Sequence, residues 1–509
     1  MKIGTVALLS TLGMALTSMS VWALTPPAGK TAPSTPTTVA SVTARPGGAG
    51  GGAGAGGGSL LGGLLGSTTS TSGATFSSGS TLVLEGRLGH PTLDATRDSE
   101  TFLMLDVRAA ADELASTPAP VNLSIVIDRS RSMEGQRLEN ALAAARGMIR
   151  RLRDGDTVSV VTYNTDTSVV VPATVLDARS REDVLFSLRG VQAQGHTCIS
   201  CGIETGLATM GQRPGVARML LLSDGEANAG IRDVPGFQRL AQQARERDVG
   251  ISSIGVDVDY NERVMFAVAQ SSNGRHYFVE SPAGLPQIFD EELDSLVRTV
   301  ANRAEVELDL APGVQMLEVL DRSFTRDGDR VFVPFGAFAQ GDAKTLLMRV
   351  RVPRGQAGDQ PIARVRMRYE DLTRARPGDC EGELVATLTE RADDVSPLDP
   401  LVESRVARSE TSAALVRANE LFSEGDVAAA RRTLDSSRGR IRSRRTAARS
   451  KASASDKTRL DADFERQLNT LDDADQGFEA VEAEPAPATS RQGKAQVRSN
   501  AGALDELGL

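Results

Sequence analysis

The run VNLSIVID at positions 121–128 constrains this chain most. It is apolar at Val121, Leu123, Ile125, Val126 and Ile127, largely β-branched and bounded by polar residues, so it reads as a buried strand. The strand ends on Asp128, and Ser130 and Ser132 follow at alternate positions before a turn at Glu134 and Gly135. A helix starts there, with Leu138, Ala141, Leu142, Ala145, Met148, Ile149 and Leu152 at the spacing of one helical face. A carboxylate and two hydroxyls thus converge at the carboxyl end of a strand, just ahead of a helix. In an open α/β sheet that edge binds ligands, and three hard oxygen donors suit Mg²⁺, Mn²⁺ or Ca²⁺. The same residue types also make ordinary helix N-caps, so the assignment depends on what other segments bring to this edge.

Those segments alternate. Strands are predicted at 158–163, 168–171, 218–223, 251–256 and 275–279, and helices at 181–189, 199–210, 233–247, 261–271 and 285–302. The strand RMLLLS ends on Asp224 and Gly225, as the first ended on Asp128. Strands alternating with helices predict an α/β fold with a doubly wound, mostly parallel sheet over 119–302.

Four stretches of this region carry a specific resemblance. DRSRS at 128–132, GHTCIS at 195–200, LLLSDGEAN at 220–228 and GVDVDYNERVMFAVAQSSNGRHYFV at 255–279 resemble the von Willebrand factor A domain. The family's metal-ion-dependent adhesion site takes Asp-x-Ser-x-Ser, a Thr from a second loop and an Asp from a third. The resemblance therefore implies Asp128, Ser130, Ser132, Thr197 and Asp224 as ligands of a divalent cation, foremost Mg²⁺, with Mn²⁺ or Ca²⁺ as alternatives. Such a shell leaves a position for an outside ligand, and the carboxylate of a partner protein's Asp or Glu is its natural occupant. Two positions depart from the family pattern, His196 before the Thr and Cys198 after it.

Cys198 and Cys201 form C-x-x-C at the start of a helix. A short-loop disulfide is one reading in an oxidising compartment, a pair of small buried thiols another. A soft-metal site with His196 is a third, weakened by having only three donors. Cys380 stands apart in the sequence.

The flanks differ in character. Residues 1–23 have the form of a secretory signal peptide, with Lys2, a short apolar core from Val6 to Leu16 and a small-residue site at Ala23, so a secreted, periplasmic or cell-envelope location is expected. Leu24, where a lipoprotein would carry Cys, argues against a lipid anchor. Residues 24–80 are rich in Pro and Gly and read as a disordered linker. Alternating runs at 81–87 and 100–108 have no partners of their own. Six more between 303 and 395, including Val365, Met367 and Tyr369 set against Arg364, Arg366 and Arg368, predict an antiparallel β-sandwich. The two early strands are expected to join it, with the α/β domain inserted between, as in bacterial proteins that resemble inter-α-trypsin inhibitor heavy chains. Residues 400–475 read as helical and 476–509 as a disordered tail. The 431–451 segment holds nine basic residues and one acid, which reads as a solvated helix face before an anion-binding one.

The leading functional reading is a non-enzymatic protein-binding module that engages its partner through the cation. A net charge of −9 and 4 % aromatic residues argue against nucleic acid, and no run of about twenty apolar residues predicts a membrane span. A nucleotide-dependent enzyme on the same topology is opposed by DRSRSMEG, which lacks a Gly-rich phosphate fingerprint. A thiol–disulfide protein using Cys198 and Cys201 is the remaining alternative.

Overall fold

A computed structural model of the chain describes residues 70–110, 118–211, 213, 215–320, 322–483 and 486–506. The expected signal segment and residues 24–69 of the expected linker lie outside them. Five strands come first: β1 (Ser70–Ser72), β2 (Thr75–Gly79), β3 (Leu82–Leu88), β4 (Thr92–Asp94) and β5 (Ser99–Ala109). The α/β region follows as β6 (Val121–Asp128), α1 (Gln136–Arg151), β7 (Thr157–Tyr163), β8 (Thr167–Val175), α2 (Ala178–Ser187), α3 (Ile199–Met210), β9 (Val216–Ser223), α4 (Val234–Glu246), β10 (Val249–Val256), α5 (Glu262–Ser271), β11 (His276–Val279) and α6 (Leu285–Val297). Seven strands return to the first group: β12 (Thr299–Leu310), β13 (Gln315–Leu320), β14 (Thr325–Asp327), β15 (Arg330–Ala339), β16 (Ala343–Val352), β17 (Gly358–Asp371) and β18 (Arg376–Thr389). The chain closes with α7 (Pro400–Ser423), α8 (Val427–Lys451), α9 (Ala454–Glu482) and α10 (Arg491–Glu506).

The α/β sheet has the order β11-β10-β9-β6-β7-β8, with every neighbouring pair parallel except β7 and β8. Every residue of β6 is buried because this strand is central and covered on both faces. Its side chains divide between two cores. Ile125 and Ile127 pack with α1, α2 and α6 on one side, and Val126 packs with α3, α4 and α5 on the other. The strand order reverses between β6 and β9, so the connections after these two strands leave to opposite faces and open a crevice at their carboxyl ends.

The other strands make two six-stranded sheets, β1-β2-β3-β5-β16-β13 and β14-β15-β12-β17-β18-β4, packed around one apolar core. β3 and β5 do join the sandwich, and the α/β domain is inserted between β5 and β12. On β17 the buried Val365, Met367 and Tyr369 alternate with Arg364, Arg366 and Arg368. These arginines sit opposite Asp309, Glu307 and Glu305 of β12 and Glu383, Glu381 and Asp379 of β18, a ladder of opposite charges across three strands. The free face of the first sheet is covered in turn. Phe102, Met104, Leu320 and Leu347 pack under α7, α8 and α9, where Phe422 stacks on Phe478 at 4.4 Å. No helix among the described residues is long and apolar enough to cross a membrane.

Four expectations need correction. The linker does not run to residue 80, because the chain is paired from Ser70 onward. Phe76 accounts for this. Its ring is buried over Gly86 and Gly382, where an added methyl would meet it at 2.1 Å, so one aromatic holds an otherwise small and polar strand. The helix expected over 285–302 ends at Val297, since β12 pairs with β15 and β17 from its start. The tail expected to be disordered from 476 holds the end of α9 and all of α10. Finally, the basic residues of α8 are largely not a free solvated face. Arg431, Arg438, Arg445 and Arg449 pair with acids of α9, and Arg444 pairs with Glu410 of α7.

Candidate metal centre

The crevice at the carboxyl ends of β6 and β9 receives four of the five expected ligands directly. Asp128 ends β6 and is fully buried. A 3-10 turn at Arg131–Met133 then carries Ser130 and Ser132 back over the sheet edge. One Asp128 oxygen accepts from the Ser130 amide at 2.7 Å, and the other accepts from the Ser223 hydroxyl at 2.8 Å. Ser130 and Ser132 place their Oγ atoms 3.1 Å apart, and Ser132 donates to Asp224 Oδ1 at 2.7 Å. Four donors are thus linked as one network.

Thr197 arrives from the loop before α3 and is buried. Its amide donates to Asn228 Oδ1 at 2.8 Å, and its carbonyl accepts from the amides of Asn228 and Ala229 at 3.1 and 3.2 Å. The loop after Asp224 therefore grips the Thr197 loop through its backbone and leaves the hydroxyl available. A methyl placed on Gly225 would lie 3.6 Å from both Ser132 Oγ and Thr197 Oγ1. The two hydroxyls accordingly converge on the space beside Gly225, which a side chain there would occupy.

Two carboxylates and three hydroxyls converging from three loops fit a hard divalent cation. The electrostatics agree. Burial, with the nearby Asp224 charge adding to it, pushes the Asp128 carboxyl up to about 7. Burial also raises Asp224, against the opposing pull of Ser132 and Arg137. Both carboxylates sit where an added positive charge is favoured. When bound, the ion would supply an electrophilic position for an outside oxygen ligand, held by Asp128, Ser130, Ser132, Thr197 and Asp224.

Sequence reasoning missed three residues here. Ser223 holds the inner oxygen of Asp128. Asn228 sets the Thr197 loop. Arg137, in the first turn of α1, donates from Nη1 to Asp224 Oδ2 and to the Ser132 carbonyl, each at 2.9 Å, and its Nη2 pairs with Asp257. Ser223 and Asn228 flank the Asp224 motif within a few positions, so proximity was a usable signal. Arg137 offered none beyond its charge.

His196 is exposed, and its amide, not its ring, bonds to Thr165 Oγ1 at 3.0 Å. Cys198 and Cys201 are joined by a disulfide at the start of α3. Gly230, at φ +69°, lies against it, and a methyl there would come within 2.6 Å of Cys198 Sγ. With both sulfurs bonded to each other, the soft-metal reading has no thiolates to use. Among the described residues no three His, Cys, Asp or Glu side chains form a metal cluster, in keeping with a site that takes most of its donors from hydroxyls. Cys380 is buried and free in the sandwich.

Comparison with known proteins follows the same boundaries. Residues 122–291 match the von Willebrand factor type A domain family. The uncharacterized protein sll0103 of Synechocystis is 27 % identical over 297 residues, which cover 56 % of this chain and 70 % of that protein. The uncharacterized protein YfbK of Escherichia coli is 27 % identical over 220 residues, 42 % of this chain and only 38 % of its own length. Among solved structures, a von Willebrand factor type A protein from Catenulispora acidiphila superposes with a TM-score of 0.64 at 18 % identity, over 86 % of this chain and 98 % of that one. The ArnB paralog VWA2 from Sulfolobus acidocaldarius gives 0.56 at 16 % identity, over 84 % and 100 %. At these identities the likeness is one of fold.

Proposed function

With residues 122–291 a von Willebrand factor type A domain, in a chain homologous to the bacterial proteins sll0103 and YfbK, we propose that the chain binds a protein partner through a divalent cation held by Asp128, Ser130, Ser132, Thr197 and Asp224. Domains of this family are typically protein-binding modules and usually not catalysts. The observation that carries the finer reading is the convergence of Ser132 and Thr197 hydroxyls beside Gly225, within one network with Asp128 and Asp224. A cation there, foremost Mg²⁺, has its charge offset by Asp128 and Asp224 alone, since the three hydroxyls are neutral, and its open position stays electrophilic. An Asp or Glu of the partner would enter that position and displace a water. The module works by adhesion, without covalent chemistry, and in the cell envelope or outside the cell, given the signal-like segment 1–23.

The test is retention of envelope proteins on immobilised wild type, on wild type with chelator, and on Thr197→Ala. The hydroxyl must sit about 2.1 Å from Mg²⁺ to serve as a ligand, so its loss should mimic chelation while the fold persists. Equal retention in all three arms would place the partner elsewhere and refute the cation-dependent reading.

A further inference from the structure

The C-terminal helix α10 reaches the candidate metal centre through a chain of charges. Arg491, Lys494 and Arg498 lie on one face of α10, three and four residues apart. They meet two acids of the loop that follows β10 and the first residue of α5. Arg491 pairs with Asp257 at 2.6 Å, Lys494 with Asp259 at 2.8 Å, and Arg498 with Glu262. Arg498 also donates to the carbonyls of Val258 and Tyr260 at 3.0 and 3.1 Å and lies 4.5 Å from the centre of the Tyr260 ring. On its other side α10 is joined to α7 by an amide pair, Asn500 to Asn419 at 3.0 Å, with Val497 its contribution to the apolar core. Charge and polar contacts hold this helix where burial would hold an ordinary one.

Asp257 is the hinge of the arrangement. One of its oxygens takes Arg491 from α10, and the other takes Arg137, which is also bound to Asp224. The order Arg491, Asp257, Arg137, Asp224 ends on a residue of the cation site. We propose that α10 is a releasable clamp on this site, and that cation binding and clamp docking oppose each other through Arg137. The inference rests on the cation reading given above.

The sign follows from charge. A divalent ion beside Ser132 meets Asp224 on the Oδ1 side and, by its charge, loosens the hold of Oδ2 on Arg137, which then draws more on Asp257. Arg491 loses part of its partner, and the positive ion adds repulsion toward all three bases of α10. Conversely, removing Arg491 leaves Asp257 free to hold Arg137 away from Asp224, which is then available to the ion. Linkage makes the cation's effect on clamp docking equal in free energy to the effect of clamp docking on cation binding.

The test uses the full chain and Mn²⁺ as probe. Calorimetric titration of Arg491→Ala should show Mn²⁺ bound roughly fivefold tighter or more than in wild type, in the usual range of coupling between sites. Arg491 is more than half exposed, so its loss spares the fold. Hydrogen exchange of peptides covering α10 should quicken in wild type as Mn²⁺ is added. Arg440→Ala, an exposed base on α8, should change neither. Unchanged affinity in Arg491→Ala, unchanged exchange of α10, or equal tightening in Arg440→Ala each overturns the clamp. Wild type that takes up no Mn²⁺ refutes the cation site itself, and the clamp with it.

Discussion

Ser223 offers the sharpest test of the site, because it is not among the proposed ligands and supports Asp128 from behind. Its hydroxyl donates to the inner carboxylate oxygen at 2.8 Å, and both residues have no exposure to solvent. Ser223→Ala removes that donor and leaves a buried, charged oxygen without its partner. A hydrogen bond to a charged group is worth roughly 1.5–3 kcal/mol. Residues that orient metal ligands from behind typically cost about 10- to 100-fold in affinity when lost, or about 1.4–2.8 kcal/mol. The two routes agree, so Mn²⁺ binding by calorimetry should weaken by roughly one to two orders of magnitude. Ser124 on β6 serves as control. It is equally buried, but its hydroxyl has no hydrogen-bond partner among the described residues, so Ser124→Ala should leave affinity unchanged. A folded Ser223→Ala protein that binds Mn²⁺ as tightly as wild type would show that Asp128 is not a ligand oriented from the β9 side.

Three further outcomes follow from the same structure. Mn²⁺ at a hundredfold excess over its dissociation constant should stabilise wild type by about 2.7 kcal/mol, seen as a rise in melting temperature, and Asp128→Ala should abolish the rise; a persisting rise would locate the ion elsewhere. Burial holds His276 down to about 3, against 6.5 for a free imidazole. Between these values the unfolded chain takes a proton that the folded chain refuses, so stability is complete above about pH 6.5 and falls as the pH drops, by up to about 1.4 kcal/mol per pH unit. Urea denaturation at pH 6.5 and 5 should show a smaller fall in His276→Gln, and parallel behaviour would exclude His276 as the source. Glu292 is buried, accepts from Ser252 at 2.7 Å and Tyr277 at 2.6 Å, and pairs with Arg218 at 3.2 Å. Glu292→Ala leaves that guanidinium buried without its partner and should cost about 3–5 kcal/mol in urea denaturation; a loss under 1 kcal/mol would mean that Arg218 finds another partner.

What the sequence determined by itself was whatever depends on near neighbours in the chain. The apolar runs of β6 and β9 each end on an acidic residue or just before one, so the strands, their burial and the place of Asp128 and Asp224 were legible from periodicity. The Asp-x-Ser-x-Ser spacing was legible for the same reason, as was the alternation of β17, while Thr197 was reached only through the resemblance to the von Willebrand factor A domain. The tertiary structure alone decided how distant charges find each other. Arg137 becomes part of the site only because the β6–α1 turn, the β9 loop and the β10 loop meet at one sheet edge. The polar segment RQGKAQVRSN has too few apolar residues to predict a packed helix, yet it forms α10, since Asp257, Asp259 and Glu262 wait more than two hundred residues upstream. Hydrophobic periodicity is a local property that a sequence displays directly. An ion pair between remote residues has no period, and its energy exists only once the fold has brought the charges within a few ångströms.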